Sequence, residues 1–165
     1  MLQAHGVATL VDVRSVPRSR HNPQFNREAM PGPLAAAGIA YLHMPALGGL
    51  RHPRPDSPNT GWRNLSFRGY ADYMLTPAFA AALEELIALD GGRGRTAAMC
   101  AEAVPWRCHR SLIADALTVR GVGVEHILSE TVRKPHALTP FARVEGDRLT
   151  YPAEQPGLDL EPVGA

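Results

Sequence analysis

The stretch that most constrains this chain is Arg95–Gly121, RTAAMCAEAVPWRCHRSLIADALTVRG. A run of small and apolar residues, Thr96 to Met99, leads into Cys100. Eight positions later, Cys108 opens a segment whose apolar residues Leu112, Ile113, Ala116, Leu117 and Val119 recur at helical intervals up to Gly121. This reads as strand, loop and helix, with Cys100 at the carboxyl end of the strand and Cys108, His109 and Arg110 at the start of the helix. In open α/β sheets that edge is where ligands bind. A helix start presents unpaired N–H groups and partial positive charge, so Arg107 and Arg110 placed there oppose the dipole unless an anion compensates them.

The rest of the chain repeats the alternation. Val7 to Val13 is an apolar, β-branched run of the kind found in buried parallel strands. It empties into a loop carrying Arg14, Arg18, Arg20 and His21. Asn26 is read as the cap of a helix reaching Ala37, with Pro31 and Pro33 distorting or delaying its start. Ile39 to Met44 reads as a second strand. Pro45 to Phe67 is a long irregular stretch holding Trp62, Arg63 and, just beyond it, Arg68, a mixture of rings and cations expected of a lid. A helix is expected from near Tyr70. Thr76-Pro77 then caps a fresh one whose inner stripe is Phe79, Leu83, Leu86 and Ile87. Asp90 and the glycines at 91, 92 and 94 release the chain into the central stretch. Val122 to Leu128 is read as a last core strand, Ser129 to Pro140 as loop, and Ala142 to Tyr151 as a small hairpin. Residues 152–165 are acidic and proline-bearing, the composition of a disordered tail.

The expected fold is therefore α/β: a single three-layer domain over residues 1–151, with a mostly parallel sheet, a C-terminal hairpin and the tail. A length of 165 residues suffices for one core. A formal charge of +1 argues against extended nucleic-acid contact and against a membrane surface, so any cationic site must be local. The opening residues lack a basic leader, and no apolar run approaches membrane-spanning length. Two cysteines are too few for a disulfide framework, which fits a reducing cytoplasm.

Cys100 is the candidate nucleophile, because nearby cations and a helix start stabilise a thiolate. Glu102 and His109 are candidate bases, and Cys108 is a redox or resolving partner. Arg14, Arg18, Arg107 and Arg110 are the candidate anion clamps, with Arg14 the first choice because it directly follows a strand. Asp12, in an apolar strand, needs a partner and is read as orienting an arginine. His43 and His136 are weaker candidates. An eight-residue spacing without a second cysteine pair argues against a metal, and the sequence leaves the cofactor unknown. The partner expected is an anionic small molecule, acted on by a thiol-dependent enzyme. Set against this are a nucleotide or nucleic-acid binder that stacks bases on Trp62, Phe67 and Tyr70, and a sulfurtransferase or thiol redox protein.

The segments VDVRSVPRSRHNPQFN, LGGLRHPR, GWRNLSFRGYADYM and CAEAVPWRCHRSLIADAL closely resemble the DUF488 family, over about residues 7–151. The CAE…P…CHR segment is the most specific of these. The resemblance implies an α/β fold and marks Arg14, Arg18, Cys100, Glu102, Cys108, His109 and Arg110, and it implies no activity. It also implies an additional first strand that this chain lacks, leaving an unpaired sheet edge that favours dimerisation. More distantly, Val11-Asp12-Val13-Arg14, Cys100 and Arg110-Ser111 follow the order seen in rhodanese-type sulfurtransferases, a likeness of fold only.

Overall fold

A computed structural model describes residues 1–89 and 94–153. Three parallel strands form the central sheet: β1 (Val7–Asp12) in the middle, β2 (Ala40–His43) on one side and β3 (Arg95–Met99) on the other. Residues 90–93, read as the release into β3, and 154–165, most of the tail, lie outside the described residues.

Side chains alternate along β1 from Thr9 onward, after an irregularity between Val7 and Thr9 that returns Val7 to the face of Leu10. Val11 and Val13 face a core built with Tyr70, Phe79, Leu83, Leu112 and Ile113, whereas Val7 and Leu10 face Met30 and Ile39 on the other side. The first core is supplied by three helices, α2 (Leu65–Met74), α3 (Pro77–Ala88) and α4 (Arg110–Val119). The second is covered by the short α1 (Pro31–Ala36) and the N-terminal turn. The expected three layers are thus present.

Local chemistry sets most of the boundaries. Thr76 caps α3 by accepting from the Phe79 N–H, with Pro77 at the first position, and Gly6 ends the N-terminal turn at φ 66°. The helix expected from Asn26 starts only at Pro31. The Asn26 side chain instead accepts from the Ser19 N–H at 2.6 Å, pinning the preceding loop. α2 begins earlier than expected, at Leu65, because Asn64 accepts from the N–H groups of Ser66 and Phe67.

The expected last core strand is the largest revision. Only Glu125–Ile127 is extended (β4), and it pairs antiparallel with β5 (Arg133–Pro135), inside the segment read as loop. That ribbon is separate from the central sheet. The C-terminal hairpin is as expected, with β6 (Arg143–Glu145) and β7 (Arg148–Thr150) turning at Gly146. Among the described residues no helix is long and apolar enough to cross a membrane.

Candidate functional site: a cysteine pair at the start of α4

Parallel pairing of β1 with β3 sets Asp12 opposite Met99, and the Val13 N–H donates to the Met99 carbonyl. Val13 and Cys100 therefore leave the sheet side by side on the α2–α4 face. A 3-10 turn, Pro105–Arg107, then delivers Cys108 to the start of α4. The sulfurs of Cys100 and Cys108 and a ring nitrogen of His109 all lie within 4.8 Å of one another.

Arg110 organises this cluster. Its backbone N–H and its Nε each donate to Cys108 Sγ at 3.4 Å, and its Nη2 donates to the Glu102 carbonyl at 2.5 Å. The Glu102 N–H donates to Cys100 Sγ at 3.4 Å. Glu102 thus contributes through its backbone, while its side chain is exposed and makes no hydrogen bond among the described residues. The hydrogen bond from Cys100, with the donors and charge of Arg110, outweighs burial and pulls Cys108 down to about 6. Cys100, whose proton is held in the bond to Cys108 and which is itself partly buried, is pushed up to about 12. The two titrate as a coupled pair, with the thiolate favoured on the inner sulfur and the proton on the outer one. Cys108 is 2% exposed, whereas Cys100 is only partly buried.

At the helix start Arg110 thus faces a sulfur of the chain itself, Cys108 Sγ. His109 closes the other side. Its Nδ1 lies 3.8 Å from Cys108 Sγ, and its ring packs on Tyr70 at 4.9 Å between centroids. Tyr70 is fully buried and donates to the Leu47 carbonyl. Gly49 lies against the opposite face of the cluster, where an added Cβ would come within 2.5 Å of His109 Nδ1. Gly49→Ala is expected to displace the imidazole and to slow alkylation of the cysteine pair severalfold without unfolding the protein, as read by thiol mapping beside a melting curve.

Arg14 shares the rim with Cys100 but points to the opposite face of the sheet. Its Nε and Nη2 grip Asp12 at 2.8 and 2.5 Å, and Nη2 also donates to the Phe25 carbonyl. Tyr41 donates to the same carboxylate at 2.7 Å. Asp12 is fully buried and Arg14 is 8% exposed. The Arg14 guanidinium is therefore taken up by a buried carboxylate, the partner that Asp12 needs. His43 bonds to the Arg14 carbonyl at 2.9 Å. Arg18 and Arg107 are exposed and make no side-chain hydrogen bond or ion pair among the described residues.

The lid reading is also revised. Trp62 packs against Phe67, Phe141 and Tyr151, at centroid distances of 4.8, 4.9 and 5.6 Å. Arg68 is tied to the Trp62 and Thr60 carbonyls. Buried Asp72 accepts from the Arg54 N–H, Ser57 Oγ and Asn59 Nδ2, so the segment is stitched down. Arg63 alone of the three lid residues is exposed. What reaches the cysteine cluster from this loop is Gly49.

Sequence reasoning missed Asp115, a carboxylate on the buried stripe of α4. It accepts from His136 Nε2, from Thr139 N–H and Oγ1, and from Tyr151 OH, while His136 in turn bonds His126 at 2.9 Å. A charge among Leu112, Ile113 and Ala116 was the available signal.

Cys100, Cys108 and His109 also form a donor set of the kind soft metals take. Two observations weigh against it. His109 Nε2 is buried without the outer partner that metal-bound histidines carry, and no fourth protein donor joins the three among the described residues.

No curated protein and no solved structure matches the chain. A family model described as domain of unknown function DUF488 matches residues 1–117. That span contains β1 to β3, both cysteines and most of α4, and the chain belongs to the DUF488 family.

Proposed function

We propose that this chain is a dithiol protein that passes two electrons to an external disulfide through Cys100 and Cys108. The observation that carries the reading is the pair of sulfurs within 4.8 Å, with the backbone N–H and the Nε of Arg110 both donating to the inner one. Exposure makes Cys100 the entry point. Cys108 takes the Cys100 proton, and the Cys100 sulfur attacks one sulfur of the substrate, expelling the first thiolate. Cys108 gives its proton to that leaving group and attacks Cys100 Sγ, expelling the second thiolate. The products are an internal disulfide, one thiol and one thiolate, with the dithiol oxidised and the substrate reduced. Closure requires the sulfurs to approach to about 2.05 Å. The exposed Arg107, next to Cys108, favours a substrate disulfide that carries carboxylates.

The test is thiol mapping by mass spectrometry across pH, followed by addition of cystine. The expected result is reactivity that rises through about pH 6 and a cystine-driven loss of both thiols with no adduct retained. Cys108→Ser should trap the half-cystine adduct on Cys100. Arg110→Met should move the rise toward the ordinary thiol value of about 8.5. Reactivity confined to alkaline pH, or a zinc ion retained stoichiometrically and released only by chelators, overturns the reading.

A further inference from the structure

The buried stripe of α4 carries a polar chain that the cysteine chemistry does not use. Asp115 is fully buried, and its Oδ1 accepts from His136 Nε2 at 2.8 Å. The other ring nitrogen of His136, Nδ1, lies 2.9 Å from His126 Nε2. Two constraints fix the protons of this chain. A carboxylate only accepts, so His136 Nε2 carries a hydrogen, and the contact between the rings holds one hydrogen and no more. The chain therefore admits two neutral rings or a single imidazolium. It excludes two, because each ring would then aim an N–H at the other across 2.9 Å.

The same side chains fasten the β4–β5 ribbon. β5 is exposed along its whole length and β4 is at most half-buried, with Ile127 against the second core, so the ribbon buries little apolar surface of its own. His126 stands on β4, and the His136 N–H donates to the Val124 carbonyl just before that strand. His136 is thus the link from the ribbon to α4. At the turn, His5 Nε2 donates to the Ser129 carbonyl at 2.7 Å, a bond that either charge state of that ring can make.

We propose that His126 and His136 form an acid-sensitive latch, in which a second proton on the pair releases the β4–β5 ribbon from α4. The surrounding charges set the direction. Asp115 on α4 favours one imidazolium, and Tyr151, which also donates to that carboxylate, is neutral. Against a second stand Arg110 at the start of α4 and Lys134, opposite His126 in the ribbon register. Arg133, next to Lys134, is paired with Glu125. Burial first, then His136 and Arg110, hold His126 below its ordinary 6.5 against the pull of Asp115. The released ribbon has no such restraint. Closure is therefore complete above about pH 6.5, and below it each pH unit multiplies the open fraction by up to about ten, the slope for one proton. Val124 and His126 line one cavity with Arg110, Ile113 and Leu117, so release opens that face of α4 to solvent.

The test is amide exchange across about pH 5 to 8, corrected for the intrinsic pH dependence of exchange. Protection of residues 124–136 is expected to fall about tenfold per pH unit below about 6.5, while β1 and α3 keep theirs. His126→Gln retains a side-chain N–H for His136 and takes no proton, so it should keep the ribbon closed and abolish the response. Cys108→Ser, which removes the thiol that titrates at about 6, should retain it. Should the glutamine variant be open at every pH, the ring NMR signals of the wild type decide, and at most one of the two rings is charged while the ribbon is protected. Three results overturn the proposal: protection independent of pH, a response that survives in His126→Gln or vanishes in Cys108→Ser, or two charged rings in a protected ribbon.

Discussion

Asp115→Ala is expected to lower the unfolding free energy by about 3–5 kcal/mol, since each buried donor left without an acceptor costs about 1–3 kcal/mol. The carboxylate is fully buried and holds Thr139 N–H at 3.0 Å, Thr139 Oγ1 at 2.7 Å, and Tyr151 OH and His136 Nε2 at 2.8 Å each. Tyr151 is itself fully buried against Trp62 and Phe141, and its N–H donates to buried Asn59. One side chain of α4 thus fastens His136, Thr139 and Tyr151 to the core. Urea unfolding measures the loss. Asp115→Asn, which keeps one acceptor and the shape, should cost distinctly less, and a cost below about 1 kcal/mol for the alanine variant would show that the segment is held by packing alone.

Asp12→Asn should be comparably severe. Removing one partner of a buried ion pair leaves the other charge uncompensated, at about 3–5 kcal/mol. Here that charge is Arg14, 8% exposed and gripped at two points. The pH profile gives the specific signature. Burial works against the Asp12 charge, but the hydrogen bonds from Arg14 and Tyr41 outweigh it and hold the carboxyl below its ordinary 3.8. A depressed folded value means the stabilisation is complete above about pH 3.8 and fades as pH falls through the folded value. The wild type should therefore lose its advantage over Asp12→Asn in acid. At the alkaline end the Tyr41 phenol, pushed up to about 12 by burial and by the Asp12 carboxylate, favours the native state below about pH 10 and loses that effect between 10 and 12. Equilibrium unfolding of both proteins across pH reads both limbs. Equal stability in neutral solution would be the contrary result.

Periodicity and capping made much of the architecture legible. β1, β3, α3 and α4 follow from apolar spacing, and the Thr76-Pro77 boundary from its capping chemistry. The start of α2 was missed because Asn64-Leu65-Ser66 resembles the loop before it, and only the Asn64 cap separates them. Val122 to Leu128 has the composition of a core strand, yet its partner is Arg133–Pro135 and not β3. Which strands pair is a long-range property that composition does not carry. The same limit explains Arg14. Nearness to Cys100 in the sheet was inferable from strand order, and the parallel register bears it out. The face on which each side chain emerges depends on that register, and it set the guanidinium and the thiol on opposite sides. Trp62 misled because a ring in a long loop reads alike whether it covers a site or fills a core.

The sulfur at the mouth of α4 also sets the local electrostatics. With the thiolate in place, the first turn is neutralised from within, and Arg110 is saturated by sulfur on one edge and by the Glu102 carbonyl on the other. Protonating, alkylating or oxidising Cys108 erases that negative charge and strands a guanidinium beside the positive end of a helix. Each state of the cysteine is therefore also a state of the local field.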